Sequence, residues 1–199
     1  MSTMPEDARK KMADSRMGPA RNFLVTGVPG VGKTTLVRNL CGRLSSFHPV
    51  GFYTEEIREG RIRKGFALVS LDGKRSVLSH VSVKGPDRVG KYGVDIKTFD
   101  AFLESLDLRD PIHSLVVIDE IGKMECFSAA FVRLVRVSLD GSGVVVATVA
   151  LKGLGLISEV KKRKDVVVFE VTERNRNTLA EKLATDIQEA LCSVQRRGS

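Results

Sequence analysis

The sequence has no tryptophan, few aromatic residues and only three cysteines among its 199 residues. The cysteines, Cys41, Cys126 and Cys192, are far apart and form no C-x-x-C pair. This spacing argues against a disulfide framework and a zinc site, and it is typical of a reducing compartment. For Cys126, which lies near the acidic motif described below, an inert apolar role and a reactive thiol are both open.

The chain also lacks the run of about 18 apolar residues that a membrane-spanning helix needs. Its first residues lack the apolar core of a secretory signal, and acidic residues among them disfavour a mitochondrial presequence. We therefore expect a flexible extension over residues 1–21, one domain over residues 22–199, and a cytoplasmic monomer with no membrane partner.

Positive charge is in excess, with a formal net charge of +8, but it is scattered along the chain. The longest basic cluster covers residues 161–164, and only 6% of residues are aromatic. This distribution gives no support for a nucleic-acid partner. A basic protein that binds a polyanionic nucleotide accounts for the charge equally well.

The most informative pattern is G-V-P-G-V-G-K-T-T, which directly follows the apolar residues 23–25. It matches the G-x-x-x-x-G-K-[ST] phosphate loop between a strand and a helix. Its glycines let the backbone N–H groups cradle a triphosphate, Lys33 is predicted to reach the β- and γ-phosphates, and the Thr34 hydroxyl is predicted to ligate Mg²⁺. The predicted nucleotide-binding residues are Gly27, Val28, Pro29, Gly30, Val31, Gly32, Lys33, Thr34 and Thr35.

A second pattern is the apolar run of residues 115–118, which ends in Asp119 and Glu120. An acid at the tip of such a strand holds Mg²⁺ beside the phosphate loop, and we assign this role to Asp119. Side chains alternate along a strand, so Glu120 is predicted to act on water as a general base. Residues 119–122 also fit the D-x-x-G switch of small GTPases, but no N-K-x-D occurs to read guanine.

Hydrolysis also needs positive charge over the γ-phosphate, for which an arginine is often used. Arg174 and Asn175 follow the last predicted strand and could instead contact the base or ribose. Glu55 and Glu56 end the second strand and either orient the lysine or the water, or have a structural role. The candidate cations are Lys123, Arg163, Arg174 and Arg176.

Apolar runs alternate with amphipathic segments, which predicts an α/β fold of three layers. We expect a mostly parallel central sheet flanked by helices, with a small antiparallel excursion after the second strand. Residues 84–93 predict a mobile loop, Ser128 predicts a helix cap, and Thr178 with Glu181 predicts a capping box. The strands are predicted at 22–26, 50–57, 62–71, 76–81, 115–118, 143–148 and 165–171, and the helices at 33–44, 96–106, 127–139, 156–163 and from 178 onward.

Residues 27–35, 51–56 and 116–125, with T-E-R-N-R-N at 172–177, resemble the cancer-related nucleoside-triphosphatase family. The resemblance implies a P-loop NTPase fold close to that of nucleotide kinases. It also implies slow, Mg²⁺-dependent hydrolysis of nucleoside triphosphates, ATP and GTP included, with little base selectivity. It places further nucleotide contacts on Leu115, Val116, Val117, Ile118, Asp119, Glu120, Ile121 and Gly122.

Two alternatives to hydrolysis stay open at this point. A nucleotide or nucleoside kinase would transfer the same phosphoryl group to a second substrate, and the size of the chain fits that class. A nucleotide-gated binding module would use weak hydrolysis only as a timer. Hydrolysis is favoured because an acid placed to activate water, as predicted for Glu120, would be wasteful in a kinase.

Overall fold

The computed structural model describes residues 20–106, 108 and 114–196. Of the predicted N-terminal extension, residues 1–21, positions 1–19 therefore lie outside the described residues. The strands are β1 (Asn22–Thr26), β2 (Val50–Glu59), β3 (Ile62–Ser70), β4 (Arg75–His80), β5 (Arg88–Val89), β6 (Tyr92–Val94), β7 (Leu115–Ile121), β8 (Val144–Val149) and β9 (Val166–Glu170). The helices are α1 (Lys33–Arg43), α2 (Ile96–Glu104), α3 (Ala129–Asp140), α4 (Leu156–Lys162) and α5 (Arg176–Gln195).

All the described strands join one sheet in the order β5-β6-β4-β3-β2-β7-β8-β1-β9. Strands β2, β7, β8, β1 and β9 run parallel, whereas β3, β4, β6 and β5 continue the sheet in antiparallel pairs. Strand β2 is the junction, because its first residues pair with β7 and the remainder pairs with β3. The predicted antiparallel excursion is thus an extension of the same sheet.

Two hydrophobic cores cover the two faces of the sheet, which confirms the three-layer fold. Helices α1 and α5 pack on one face, and α2, α3 and α4 pack on the other. The central strands are apolar on both sides: Leu115 and Val117 enter the first core, whereas Val116 and Ile118 enter the second. This alternation is what a parallel strand between two helical layers requires.

The predicted mobile loop over residues 84–93 is the first local difference. It contains the hairpin of β5 and β6, and β6 pairs with β4 through Ser79–Val94 and His80–Gly93. The glycines of this segment serve a turn and a close strand contact. Its order comes from pairing with β4, which no local pattern reveals.

Helix starts give one confirmed and one wrong prediction. Ser128 caps α3, with its side chain accepting a hydrogen bond from the Phe131 N–H. The capping box at Thr178 and Glu181 is wrong, because α5 begins at Arg176 and the Thr178 hydroxyl donates to the Asn175 carbonyl. In the described part of the chain, no helix has both the length and the apolar character needed to cross a membrane.

Candidate active site

The phosphate loop connects the end of β1 to the start of α1. Gly30 and Gly32 have φ angles of +78° and +108°, which strongly favour glycine. Val31 is buried in the core beneath the loop, while Val28 and Pro29 are exposed. The loop is therefore anchored from below, and the N-terminus of α1 opens onto its outer surface, as anion binding requires.

Asp119 is the point where the site's elements converge. Its carboxylate is fully buried, and Oδ2 accepts a hydrogen bond from the Thr34 hydroxyl at 2.8 Å. The Thr54 backbone N–H donates to the same oxygen at 3.3 Å, and the Thr148 hydroxyl donates to Oδ1. Burial raises the pKa of Asp119, and the hydrogen bonds from Thr148 and Thr34 oppose that shift.

The oxygens of Thr34 and Asp119 have the chemistry and spacing of a hard-cation site. Two ligands in adjacent octahedral positions, each about 2.1 Å from the ion, lie about 3 Å apart. The 2.8 Å between the Thr34 hydroxyl and Asp119 Oδ2 is close to that separation. These residues therefore fit a divalent metal whose other ligands are phosphate and water.

Lys33 and Glu120 form a second pair beside the first. The Lys33 ammonium donates to the Gly27 carbonyl at 3.3 Å and lies 3.6 Å from the Glu120 carboxylate. Burial raises the pKa of Glu120, and the charge of Lys33 opposes the shift. Asp119 and Glu120 thus contact two successive residues of the phosphate loop, Thr34 and Lys33.

Glu125 is an acid of the site that the sequence did not single out. It is only 6% exposed, and burial raises its pKa to about 8. A Cβ atom on Gly122 would lie 2.6 Å from a Glu125 carboxyl oxygen and 3.1 Å from one of Glu120. A side chain at position 122 would therefore displace one or both carboxyl groups, which accounts for the glycine independently of any guanine-nucleotide switch.

Lys33, Thr34, Glu120 and Glu125 line one cleft of about 570 Å³ at the carboxyl ends of the parallel strands, and Asp119 is buried beneath its surface. Its far wall is supplied by the antiparallel extension, through Arg63, Phe66 and Val89. Another cleft, of about 670 Å³, lies near Cys41 and Pro49 and contains none of the predicted site residues. The site residues that line the first cleft are Pro29, Gly30, Gly32, Lys33, Thr34, Thr35, Glu120 and Gly122.

Several residues expected to contact the nucleotide do not reach this cleft. The side chains of β7 are taken up by packing, because the strand is buried on both faces. Arg174 is exposed outside the cleft, and the Asn175 amide binds the backbone of Glu170 and Thr172. The β7 residues in the two cores are Leu115, Val116, Val117, Ile118 and Ile121.

Glu55 and Glu56, which were expected to end the second strand, lie inside β2 and form ion pairs with arginines of the antiparallel extension. Glu56 lines the cleft and pairs with Arg63 at 2.6 Å, and the hydrogen bond from Arg63 lowers its pKa. Glu55 forms an ion pair with Arg75 on β4. These contacts tie β2 to the antiparallel extension and favour the structural role for both acids.

The cysteines are free in the described chain. Burial raises the pKa of both Cys41 and Cys126 to about 11. A thiol with so high a pKa carries almost no thiolate at neutral pH. For Cys126 this favours the inert apolar role.

Sequence reasoning missed four polar residues of the site: Thr54, Glu125, Thr148 and Lys152. Thr148 lies next to the carboxyl end of β8, and this position was the available signal, whereas Thr54 lies in the middle of β2, two residues beyond its last pair with β7. Their contacts with Asp119 span 65 and 29 residues, so no local spacing could predict them. Lys152 follows β8 in a glycine-rich loop and also lines the cleft.

An anion-binding loop at a helix N-terminus, with a threonine and an acid from a neighbouring strand beside it, defines a P-loop nucleotide-binding protein. Within that class, the sequence profile of a family described as NTPase matches residues 22–184. The chain therefore belongs to the NTPase family, and the resemblance that its motifs indicated is confirmed.

Individual relatives agree with this assignment. The human cancer-related nucleoside-triphosphatase is 44% identical over 185 residues, which cover 85% of this chain and 97% of the human one. Nucleoside-triphosphatase THEP1 of Thermotoga maritima is 42% identical over 158 residues, which cover 79% of this chain and 90% of the Thermotoga protein. The solution structure of a human cancer-related nucleoside triphosphatase matches with a TM-score of 0.75 at 42% identity. The match covers 85% of this chain and 98% of the human structure.

Proposed function

We propose that the chain hydrolyses nucleoside 5′-triphosphates, ATP and GTP among them, to the diphosphate and inorganic phosphate with Mg²⁺. One observation carries the proposal. Thr34 and Asp119, 85 residues apart, meet in a 2.8 Å hydrogen bond. The Lys33–Glu120 ion pair lies directly beside them, and Lys33, Thr34 and Glu120 all line the cleft. This is the set of groups that triphosphate hydrolysis needs in one place.

Binding falls to the phosphate loop. Its backbone N–H groups and the N-terminus of α1 cradle the phosphates, and Lys33 turns its ammonium toward the β- and γ-phosphates. The contacts of Lys33 with Gly27 and Glu120 are long, so spare donors are available to the ligand. Thr34 and Asp119 would hold Mg²⁺, which neutralises charge on the phosphates when bound.

Glu120 acts on the attacking water. Its carboxylate orients the water and accepts a proton as the water oxygen bonds to the γ-phosphorus. The bond from that phosphorus to the β–γ bridging oxygen breaks, and the diphosphate leaves. General-base assistance of this kind contributes about 10²–10⁴ in rate. Glu125 is buried beside Gly122, where the charge of Glu120 adds to the burial that raises the pKa of Glu125.

We also propose that the nucleotide is the principal partner and that the protein works in the cytoplasm. Three free cysteines support a reducing compartment. The polar contacts described above would all engage phosphate or metal, which supports low selectivity for the base. Comparable turnover of ATP, GTP and CTP is the expected consequence.

Release of inorganic phosphate, without any acceptor, is the experiment that tests this function. We expect phosphate from ATP and GTP in equal amount to the diphosphate formed, and none when EDTA removes the metal. Phosphate transfer that appears only with a nucleoside or nucleotide acceptor would instead favour a kinase. A protein that binds triphosphate without turnover, and changes partner affinity between the two nucleotide states, would favour the binding module.

A further inference from the structure

Four of the described cations line the cleft: Lys33, Arg63, Lys123 and Lys152. Arg163 is held by Asp140 and Asp165 at 2.8 and 2.7 Å, and none of these three residues lines the cleft. Arg174 and Arg176, the other predicted arginines, are exposed outside the cleft.

Arg63 lines the cleft, but its Nη1 and Nε donate to Glu56 and Tyr92, which directs the guanidinium toward the wall of the cleft. Lys123 and Lys152 remain besides Lys33 of the phosphate loop. Both line the cleft, both are exposed, and neither forms an ion pair with any residue that the structure describes.

The backbone that leads to Lys152 is fixed at its start. The Ala150 N–H donates to the Ile121 carbonyl at 3.1 Å, which ties the segment to the end of β7. From α4, the Lys161 ammonium donates to the Ala150 carbonyl at 2.6 Å and to the Leu151 carbonyl at 2.9 Å. The backbone that precedes Lys152 is therefore fixed at the cleft. This reduces the conformational entropy that is lost when Lys152 binds a ligand.

The two hydrogen bonds from Lys161 to the Ala150 and Leu151 carbonyls form a brace on this loop. The charge of Lys161 also interacts with that of Glu120. Burial lowers the pKa of Lys161, and the negative charge of Glu120 opposes that shift. Ala150 and Lys152 line the same cleft as Glu120, the carboxylate proposed to act on water. The backbone around Lys123 is held only by a local turn, in which the Cys126 and Phe127 N–H groups donate to the Gly122 and Met124 carbonyls, and among the described contacts no side chain from another element binds it.

We propose that Lys152 is a catalytic residue that contacts the γ-phosphate during hydrolysis, and that Lys161 is the positioning residue that holds its loop. The inference rests on the proposed hydrolysis and names the cation that completes it. A cation aimed at charge that develops during reaction stabilises the transition state more than the bound substrate. Lysine supplies this as a point charge, where other enzymes use an arginine.

The test compares variants of the full-length chain in phosphate release and in nucleotide binding. Lys152→Ala is expected to lower kcat about 10²-fold. It should change the Kd of a non-hydrolysable triphosphate by less than about threefold. Lys152→Arg keeps the charge and should keep kcat within about tenfold of the unmodified chain. Lys162→Ala, an exposed lysine next to the brace, is the matched control and should leave both values unchanged.

For Lys161, the apolar variant Lys161→Met should lower kcat about tenfold with little change in that Kd, and Lys161→Arg should restore most of the loss. A second measurement is affinity for the diphosphate with aluminium fluoride, which mimics the transferring phosphoryl group. Lys152→Ala should weaken it about as much as it lowers kcat. A merely structural lysine would not move this readout.

The outcomes separate this inference from the proposed function. No phosphate release by the unmodified chain contradicts hydrolysis itself. If the unmodified chain releases phosphate and Lys152→Ala keeps a kcat within about threefold of it, only the role of Lys152 is overturned. A larger loss in Lys123→Ala than in Lys152→Ala also overturns it, since the unbraced lysine would then be the principal contact.

Discussion

The two ends of the parallel strands both carry acids beside cations, but the acids at the amino ends are more exposed and the charges are paired differently. At the amino ends, Arg163 binds Asp140, Asp165 and the Leu139 carbonyl, and the Asn22 amide joins Asp165 at 3.0 Å. At the carboxyl ends, Lys33 makes only two long contacts. Lys152 makes none with a described acid.

This difference separates a structural cluster from a binding site. Donors that are fully used by the protein stabilise the fold and have little left for a ligand. Donors left free at a cleft cost stability and are retained where a ligand satisfies them. Composition alone treats Arg163 and Lys152 alike, and only the pairing tells them apart.

The largest effect is expected from Asp119→Asn, which removes the buried charge at the centre of the carboxyl-end cluster. Without it, Thr34 loses its partner for the metal, and kcat should fall about 10³-fold or more. Phosphate release and titration of Mg²⁺ in the presence of ADP measure the two losses. Asp165→Asn at the opposite end is the control, and it should retain turnover. Equal turnover in Asp119→Asn and Asp165→Asn would contradict the claim that only the carboxyl-end cluster takes part in hydrolysis.

Gly122→Ala is expected to have an intermediate effect. The new methyl group would displace the carboxyl groups of Glu120 and Glu125, and kcat should fall about tenfold while nucleotide affinity stays the same. The control is Gly42→Ala in α1, where an added Cβ meets nothing within 4 Å. Unchanged kcat in Gly122→Ala would show that the spacing of these two acids does not matter to turnover.

The smallest effect on activity is expected from Arg163→Met. Loss of its hydrogen bonds should lower the free energy of unfolding by about 1–3 kcal/mol without changing kcat. Denaturant unfolding and phosphate release on the same preparation measure both. A loss of turnover in the folded variant would instead assign Arg163 to the catalytic cluster.

The same variant has an expected pH dependence. Burial tends to raise the pKa of Asp165, but the hydrogen bonds from Arg163 outweigh it and leave the pKa lowered. A lowered folded-state pKa adds stability that is complete above the unfolded value, about 3.9, and is lost as the pH falls through the folded value. The stability gap between the unmodified chain and Arg163→Met should therefore be full at neutral pH and shrink in acid.

Local patterns were enough for the elements that carry the site. Strand β1 has the predicted bounds, and α1 ends within one residue of prediction, because the phosphate-loop motif fixes both the strand exit and the helix start. The position of Asp119 followed from the same logic, since parallel strands end at one edge of a sheet. The family resemblance followed from the same motifs.

Contacts between distant segments were beyond sequence reasoning. The hairpin of β5 and β6 depends on pairing with β4, and the true start of α5 depends on the bonds that Asn175 makes to the preceding loop. Thr54 and Thr148 are recognisable only once three strands bring them to one carboxylate. Which cation faces the cleft is a property of the fold, so Lys152 went unnoticed.

Turnover and binding by Glu120→Gln, measured side by side, test the central claim most directly. The glutamine keeps the size of the side chain but cannot take a proton from water. Glu59→Gln, which changes an exposed acid outside the cleft, is the matched control. The account predicts that Glu120→Gln lowers kcat about 10²-fold or more and leaves the Kd of a non-hydrolysable triphosphate nearly unchanged. Undiminished phosphate release from Glu120→Gln would contradict it.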